Sequence, residues 1–174
     1  MGASGAGSDN AGYPSPTSRA MDLRIRPATA DDLPDAARLF DAYRQFYGQP
    51  SDRPAAHDFL AARLAARQSM ILLARLGDEA VGFTQLYPMF STVRMAPIWV
   101  LNDLYVDAGA SRLGVARRLL DAAAVSARAA GAVRIMLETA QENFPARALY
   151  RDAGWEEEST QWYALDLVQA RVPA

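Results

Sequence analysis

The stretch WVLNDLYVDAGASRLGVARRLLDAAA, residues 99–124, decides how the chain is read. It begins inside an apolar strand spanning 98–106, turns, and opens a helix at Arg112-Leu113-Gly114-Val115-Ala116. That helix, 114–130, carries Leu119, Leu120, Ala123 and Ala127 on one face, and Gly131 ends it. Gly114 and Ala116 let backbone amides approach a bound group closely. The helix start adds unpaired N–H donors and the positive end of its dipole. The pattern suits a phosphate or pyrophosphate, the plain alternative being an ordinary strand-to-helix turn.

Upstream, Leu23 and Ile25 alternate with Arg24 and Arg26 in a short strand. Thr29 precedes Asp31 and Asp32 as an N-cap with acids in the first turn, and the helix runs through Leu33, Ala37, Phe40, Tyr43 and Tyr47 to Gly48. A second helix is expected over 54–67. Strands over 69–75 and 80–87 flank a Gly77-Asp78 turn, and a looser stretch occupies 89–96. Downstream, 133–139 reads as a strand, 143–153 as a helix capped by Gly154, and 155–167 as a last strand pair. The order β-α-α-β-β-β-α-β-α-β-β implies an α+β (α/β) fold. Its central sheet is mixed and mostly antiparallel, with six to seven strands, helices on both faces and a parallel pair around the 114–130 helix.

Composition narrows the chemistry. The 174 residues suit one domain, expected over 21–174, and 22% are charged with a net charge of -2, which offers no nucleic-acid footprint. Residues 1–20 are rich in Gly, Ser, Ala and Pro, lack a signal-peptide core and read as a flexible tail. No apolar run is long enough to cross a bilayer, so no membrane partner and a cytoplasmic location are expected. The absence of cysteine removes disulfides, thiolate metal sites and a cysteine nucleophile, and no metal is expected. All 18 basic residues are Arg, which excludes a phosphate-loop Lys.

Among phosphate-bearing cofactors, a nucleotide loop of the Gly-Lys-Ser/Thr type is absent, and a dinucleotide fingerprint would need glycines that the chain lacks. Coenzyme A is left. A second segment supports it: NFPARALYRDAGW, residues 143–155, places Asn143 and Tyr150 seven apart on one helical face. Ala146 and Ala153 share another, leaving room along the helix. An amide followed by a phenol two turns on can orient an amide-containing arm and protonate its thiolate end.

The two segments together resemble the GNAT acetyltransferase superfamily over residues 23–167. DLYVDAGASRLGVARRLL resembles its acetyl-CoA motif, except that Ser111 stands where Gln or Arg is usual and Arg112 follows one place later. NFPARALYRDAGW resembles its Asn-x-x-Ala-x-x-Leu-Tyr helix. Within the superfamily, Tyr43-Arg-Gln-Phe46-Tyr47 and Asn102-Asp103-Leu-Tyr-Val resemble the yeast histone and polyamine acetyltransferase subgroup. The resemblance implies direct acetyl transfer from acetyl-CoA, as co-substrate, to a polyamine, an amino acid or the lysine side chain of a peptide.

It also implies roles. The backbone of Leu104, Tyr105 and Val106 would pair with the pantetheine arm, and an amide there would polarise the thioester carbonyl. Amides of Leu113, Gly114, Val115, Ala116 and Arg117 would hold the pyrophosphate, with Arg112 beside them. Asn143 would bond the arm, and Tyr150 would protonate the departing thiolate. For the general base, Asn102 stands where diamine-type relatives often have Glu, leaving Asp103 and Glu138 as candidates beside ordered water. Tyr43, Phe46, Tyr47 and Asn102 are the candidate acceptor contacts, with core packing the plain alternative for the aromatics. A homodimer joined through 155–167 is expected by the same resemblance. The other class of function is a non-catalytic acetyl-CoA-binding sensor or scaffold. A different donor, such as succinyl-CoA, is a third.

Overall fold

The computed structural model describes residues 22–167; the expectation for residues 1–20 lies outside them. The chain divides into two compact units at Glu138/Thr139.

The first unit is built on five strands in the order β1-β2-β3-β4-β5: β1 Leu23–Pro27, β2 Met70–Leu76, β3 Glu79–Ser91, β4 Ala96–Val106 and β5 Ile135–Met136. The first four pair antiparallel and β4 pairs β5 in parallel. The parallel pair is the expected one. It encloses helix α3, Val115–Ala129, because a parallel connection needs a crossover. Two further helices, α1 (Leu33–Phe46) and α2 (Arg53–Ala65), lie between β1 and β2 in sequence.

Strand alternation divides the core into two layers. Ile71, Leu73 and Phe83 face α1 and α2, where they bury Ala36, Leu39 and Leu60. The opposite face meets α3, whose buried stripe is Val115, Leu119, Leu120, Ala123 and Ala127. Gly82 marks how closely α3 approaches. A Cβ there would stand 2.9 Å from the Tyr105 carbonyl oxygen and 3.3 Å from Val115 Cγ1.

The α1 entry follows its sequence. Thr29 caps a short 3-10 turn, Ala30–Asp32, and the Asp32 carboxylate accepts from the Thr29 amide at 2.9 Å and from Arg26 at 2.7 Å on each oxygen. Asp41, buried on α1, accepts from the Asp52 amide and Ser51 Oγ, each at 2.7 Å. It thereby ties the α1–α2 loop to the helix that precedes it.

Several expectations change. The sheet has five strands among the described residues, not six or seven. β5 keeps only two of the residues expected over 133–139. The cause is a bulge in β4: Gln85 pairs with Asp103 but Leu86 with Leu101, leaving Asn102 as the extra residue. A bulge bends and twists its strand, and pairing with a neighbour ends there. The stretch at 89–96 is not loose, because β3 runs to Ser91 and β4 starts at Ala96 around a four-residue turn.

The second unit holds helix α4, Phe144–Asp152, and an irregular segment. The strand pair expected over 155–167 is absent. Trp162, Tyr163, Leu165 and Leu167 are all exposed, so neither face of that segment is covered. Without a buried face or a paired ladder, alternation alone does not hold a strand. Among the described residues, no helix is long and apolar enough to cross a membrane.

Candidate active site

The first unit carries two of the elements needed for group transfer. One is the start of α3. Gly114 is its N-cap, with φ 76° in the left-handed region, and contributes no side-chain cap. The helix therefore starts at Val115, and the amides of Val115, Ala116 and Arg117 point outward without a capping side chain. The place of a Gly114 Cβ is open space. Arg112, also left-handed at φ 62°, is exposed beside the loop, as are Arg117 and Arg118. Arg117 is tied to Asp121 at 3.1 Å. Outward amides, a helix dipole and guanidinium groups can together hold a pyrophosphate.

The β4 strand stands beside this loop. Its pairing with β5 covers Trp99 and Val100 only, so past the bulge the outer edge of β4, including Leu104, Tyr105 and Val106, has no strand beside it among the described residues. An open edge can accept an extended chain as an added strand. The end of β4 is fixed by an ion pair, Arg38 to Asp107 at 3.0 Å, and by the Asp107 amide bonding the Val81 carbonyl at 2.8 Å. Burial first, and the Asp107 charge second, raise the Tyr105 phenol above its ordinary pKa.

The other element is a buried carboxylate. Asp103 is 4% exposed and faces the α1/α2 layer. Gln85 Nε2 donates to its Oδ2 at 2.9 Å, and Asn102 Nδ2 to its Oδ1 at 3.2 Å. Ser69 Oγ donates to Gln85 Oε1 at 3.0 Å, which turns the Gln85 amide group toward Asp103. The Tyr43 hydroxyl supplies a further hydrogen bond. Burial raises the Asp103 pKa, and the three donors oppose that rise without cancelling it. The donors to Asp103 are neutral. Burial also holds the Tyr43 phenol far above the phenol range, with the charge of Asp103 adding to the effect.

The acceptor candidates separate. Tyr43 packs among Phe40, Phe83 and Tyr105, with ring centroids 6.1–6.5 Å away. Tyr47 stands 5.0 Å from Tyr43 and 5.3 Å from Phe46, and these outer two are 60% and 72% exposed. The aromatic row thus leads from the core to solvent. Asn102 is exposed yet reaches Asp103, because the bulge turns it. Glu138 is exposed and lies past the end of β5. Gln85 and Ser69 were not singled out from sequence. The signal was the polar pair Thr84-Gln85 inside an otherwise apolar strand.

In the second unit, Asn143 is the N-cap of α4, its Oδ1 accepting from the Ala146 amide at 3.3 Å and its Nδ2 donating to Thr139 Oγ1 at 3.3 Å. Tyr150 is partly buried on the same helix, 6.3 Å from the Trp155 ring. Arg147 bonds both oxygens of Glu157 at 3.0 and 3.1 Å.

A mixed sheet with an open strand edge beside an uncapped helix start can take an extended chain that ends in a phosphate. Residues 36–155 match the acetyltransferase (GNAT) family, and the chain belongs to that family. It is 45% identical over 137 residues to the "Uncharacterized N-acetyltransferase YhfO" of Bacillus subtilis, covering 79% of this chain and 92% of that protein. It is 29% identical over 107 residues to a "Probable acetyltransferase" of Haemophilus influenzae, covering 61% of this chain and 73% of that one. Among solved structures, one of "a probable acetyltransferase" superposes with a TM-score of 0.79 at 38% identity, over 84% of this chain and 99% of the other.

Proposed function

We propose that the chain is an N-acetyltransferase that takes acetyl-CoA as donor and a primary amine as acceptor. The observation that carries the reading is the uncapped first turn of α3 next to the open edge of β4. The turn suits the pyrophosphate and the edge suits the amide-bearing pantetheine arm.

In this reading the acceptor approaches past Tyr47 and Tyr43. The amine must be neutral to attack, while its usual pKa is near 10. Asp103 accepts the ammonium proton. The nitrogen lone pair then forms the C–N bond at the thioester carbonyl, whose oxygen is held by a β4 backbone amide. The C–S bond breaks; in the role the family resemblance gives it, Tyr150 protonates the departing thiolate as general acid, and the second proton of the attacking nitrogen restores the phenol. An ammonium and acetyl-CoA thus become an amide, the free thiol of CoA and one released proton. Asn143 supports the arm, and Glu138 is the alternative base. By the same family resemblance, two copies of the chain form a homodimer.

The test is acetyl-CoA-dependent thiol release across polyamines, L- and D-amino acids and a lysine peptide. The chain has no cysteine, so the protein adds no background. Release with one amine class is expected, falling about a hundredfold or more in kcat with Tyr150→Phe. Acetyl-CoA binding without release on any amine would mark a sensor instead.

A further inference from the structure

Asp103 is a buried carboxylate that receives only neutral donors. The same layer contains a cation in the converse position. Arg63, on α2, lays its guanidinium over the Phe59 ring with its Cζ 4.8 Å from the ring centroid. Its Nε is buried and has no hydrogen-bond partner. No carboxylate among the described residues pairs with it, whereas the partly buried arginines 38, 44, 75 and 147 each have one. Phe59 stacks on Phe40 at 5.6 Å, and Phe40 meets Tyr43, the residue bonded to Asp103, at 6.5 Å. An aromatic floor therefore joins the two unmatched charges.

Both charges act on one residue of β3. Asp103 lies opposite Gln85. Tyr87 is two residues further along β3 on the same face, about 7 Å at strand spacing. Its hydroxyl sits in the field of both charges: burial and Asp103 raise its pKa, and Arg63 opposes them.

We infer that the acceptor is an amine that also carries a carboxylate several bonds away, its ammonium directed to Asp103 and its carboxylate to Arg63. The assignment rests on the acetyltransferase reading above. A polyamine, with cations at both ends, would set a positive charge against Arg63. A carboxylate instead gives the guanidinium a bidentate partner, and the alkyl chain between lies on Phe40 and Phe59.

The test compares 6-aminohexanoate with hexylamine, L-lysine with cadaverine, and 5-aminopentylphosphonate as the phosphate-like arm. Turnover and calorimetric binding are read on the full chain and on Arg63→Met and Arg63→Lys. The carboxylate-bearing partner of each pair is expected to have at least a tenfold higher kcat/KM. Arg63→Met should lose at least five times more of that value for 6-aminohexanoate than for hexylamine, through KM, and Arg63→Lys should recover part of it. Equal use of both members, a preference for cadaverine, or a preference for the phosphonate overturns the assignment. If no amine turns over, the acetyltransferase reading fails separately. Binding then decides this one: tighter 6-aminohexanoate binding that Arg63→Met abolishes supports it, and equal binding overturns it.

Discussion

Asp103, the base in the proposed reaction, is a buried carboxylate of the first unit. Its pKa lies above the ordinary carboxylate value because burial disfavours its charge. The native state therefore holds the Asp103 proton at pH values where the unfolded chain has lost it. Stability from this group is present at low pH and declines as pH rises from the unfolded to the folded pKa. Asp103→Asn should accordingly leave the melting temperature at pH 7 unchanged or higher, while acetyl transfer falls by about a hundredfold or more. A large drop in melting temperature would make Asp103 structural. If Asp103 is the base, as proposed, the rate should also show an acidic limb above the usual carboxylate range, because the carboxylate must be ionised to accept the proton. The Asn102-Asp103 pair and the aromatics of α1 were legible as candidates from sequence. Their ordering was not. Burial of Asp103, the Gln85 and Ser69 support and the exposure of Phe46 depend on which residues other segments bring against them.

The helix start at Gly114 and the strand beneath it form one unit of structure. Gly82 lets Val115 and the Tyr105 carbonyl come close, so Gly82→Val forces β3 and the α3 start apart. It is expected to cost about 1–3 kcal/mol and to raise the KM for acetyl-CoA more than it lowers kcat. Thermal unfolding and steady-state kinetics check both. At the other end of the sheet, Asp32 is nearly buried and held well below the ordinary carboxylate range, chiefly by its hydrogen bonds to Arg26. A depressed pKa stabilises the fold above the unfolded value, and that contribution is lost as pH falls toward the folded one. Asp32→Ala should cost on the order of 3 kcal/mol at pH 7 and flatten the acid limb of the stability profile. An unchanged acid limb would assign acid unfolding to other groups. Helix periods and caps made these elements readable. The β4 bulge was not readable, because it is a mismatch between two strands and neither strand records it alone.

For the whole molecule, burial is uneven. The central residues of β2 and β3, among them Ile71, Leu72, Leu73, Phe83 and Leu86, are fully enclosed, whereas α4 has no buried residue. Native-state hydrogen exchange should find the slowest amides in β2 and β3 and much faster exchange in α4. Equal protection in α4 would contradict this. By itself, the sequence determined the element order from β1 through α4, the parallel β4–β5 pair and the helix start at Gly114. Each of those rests on local periodicity, caps and small residues within a few turns of chain. Only the tertiary structure decided that the sheet has five described strands, that Asp103 is enclosed by neutral donors, and that Arg63 stands unmatched on the same aromatic floor. Those facts come from contacts between segments distant in sequence, where burial and desolvation set both position and charge.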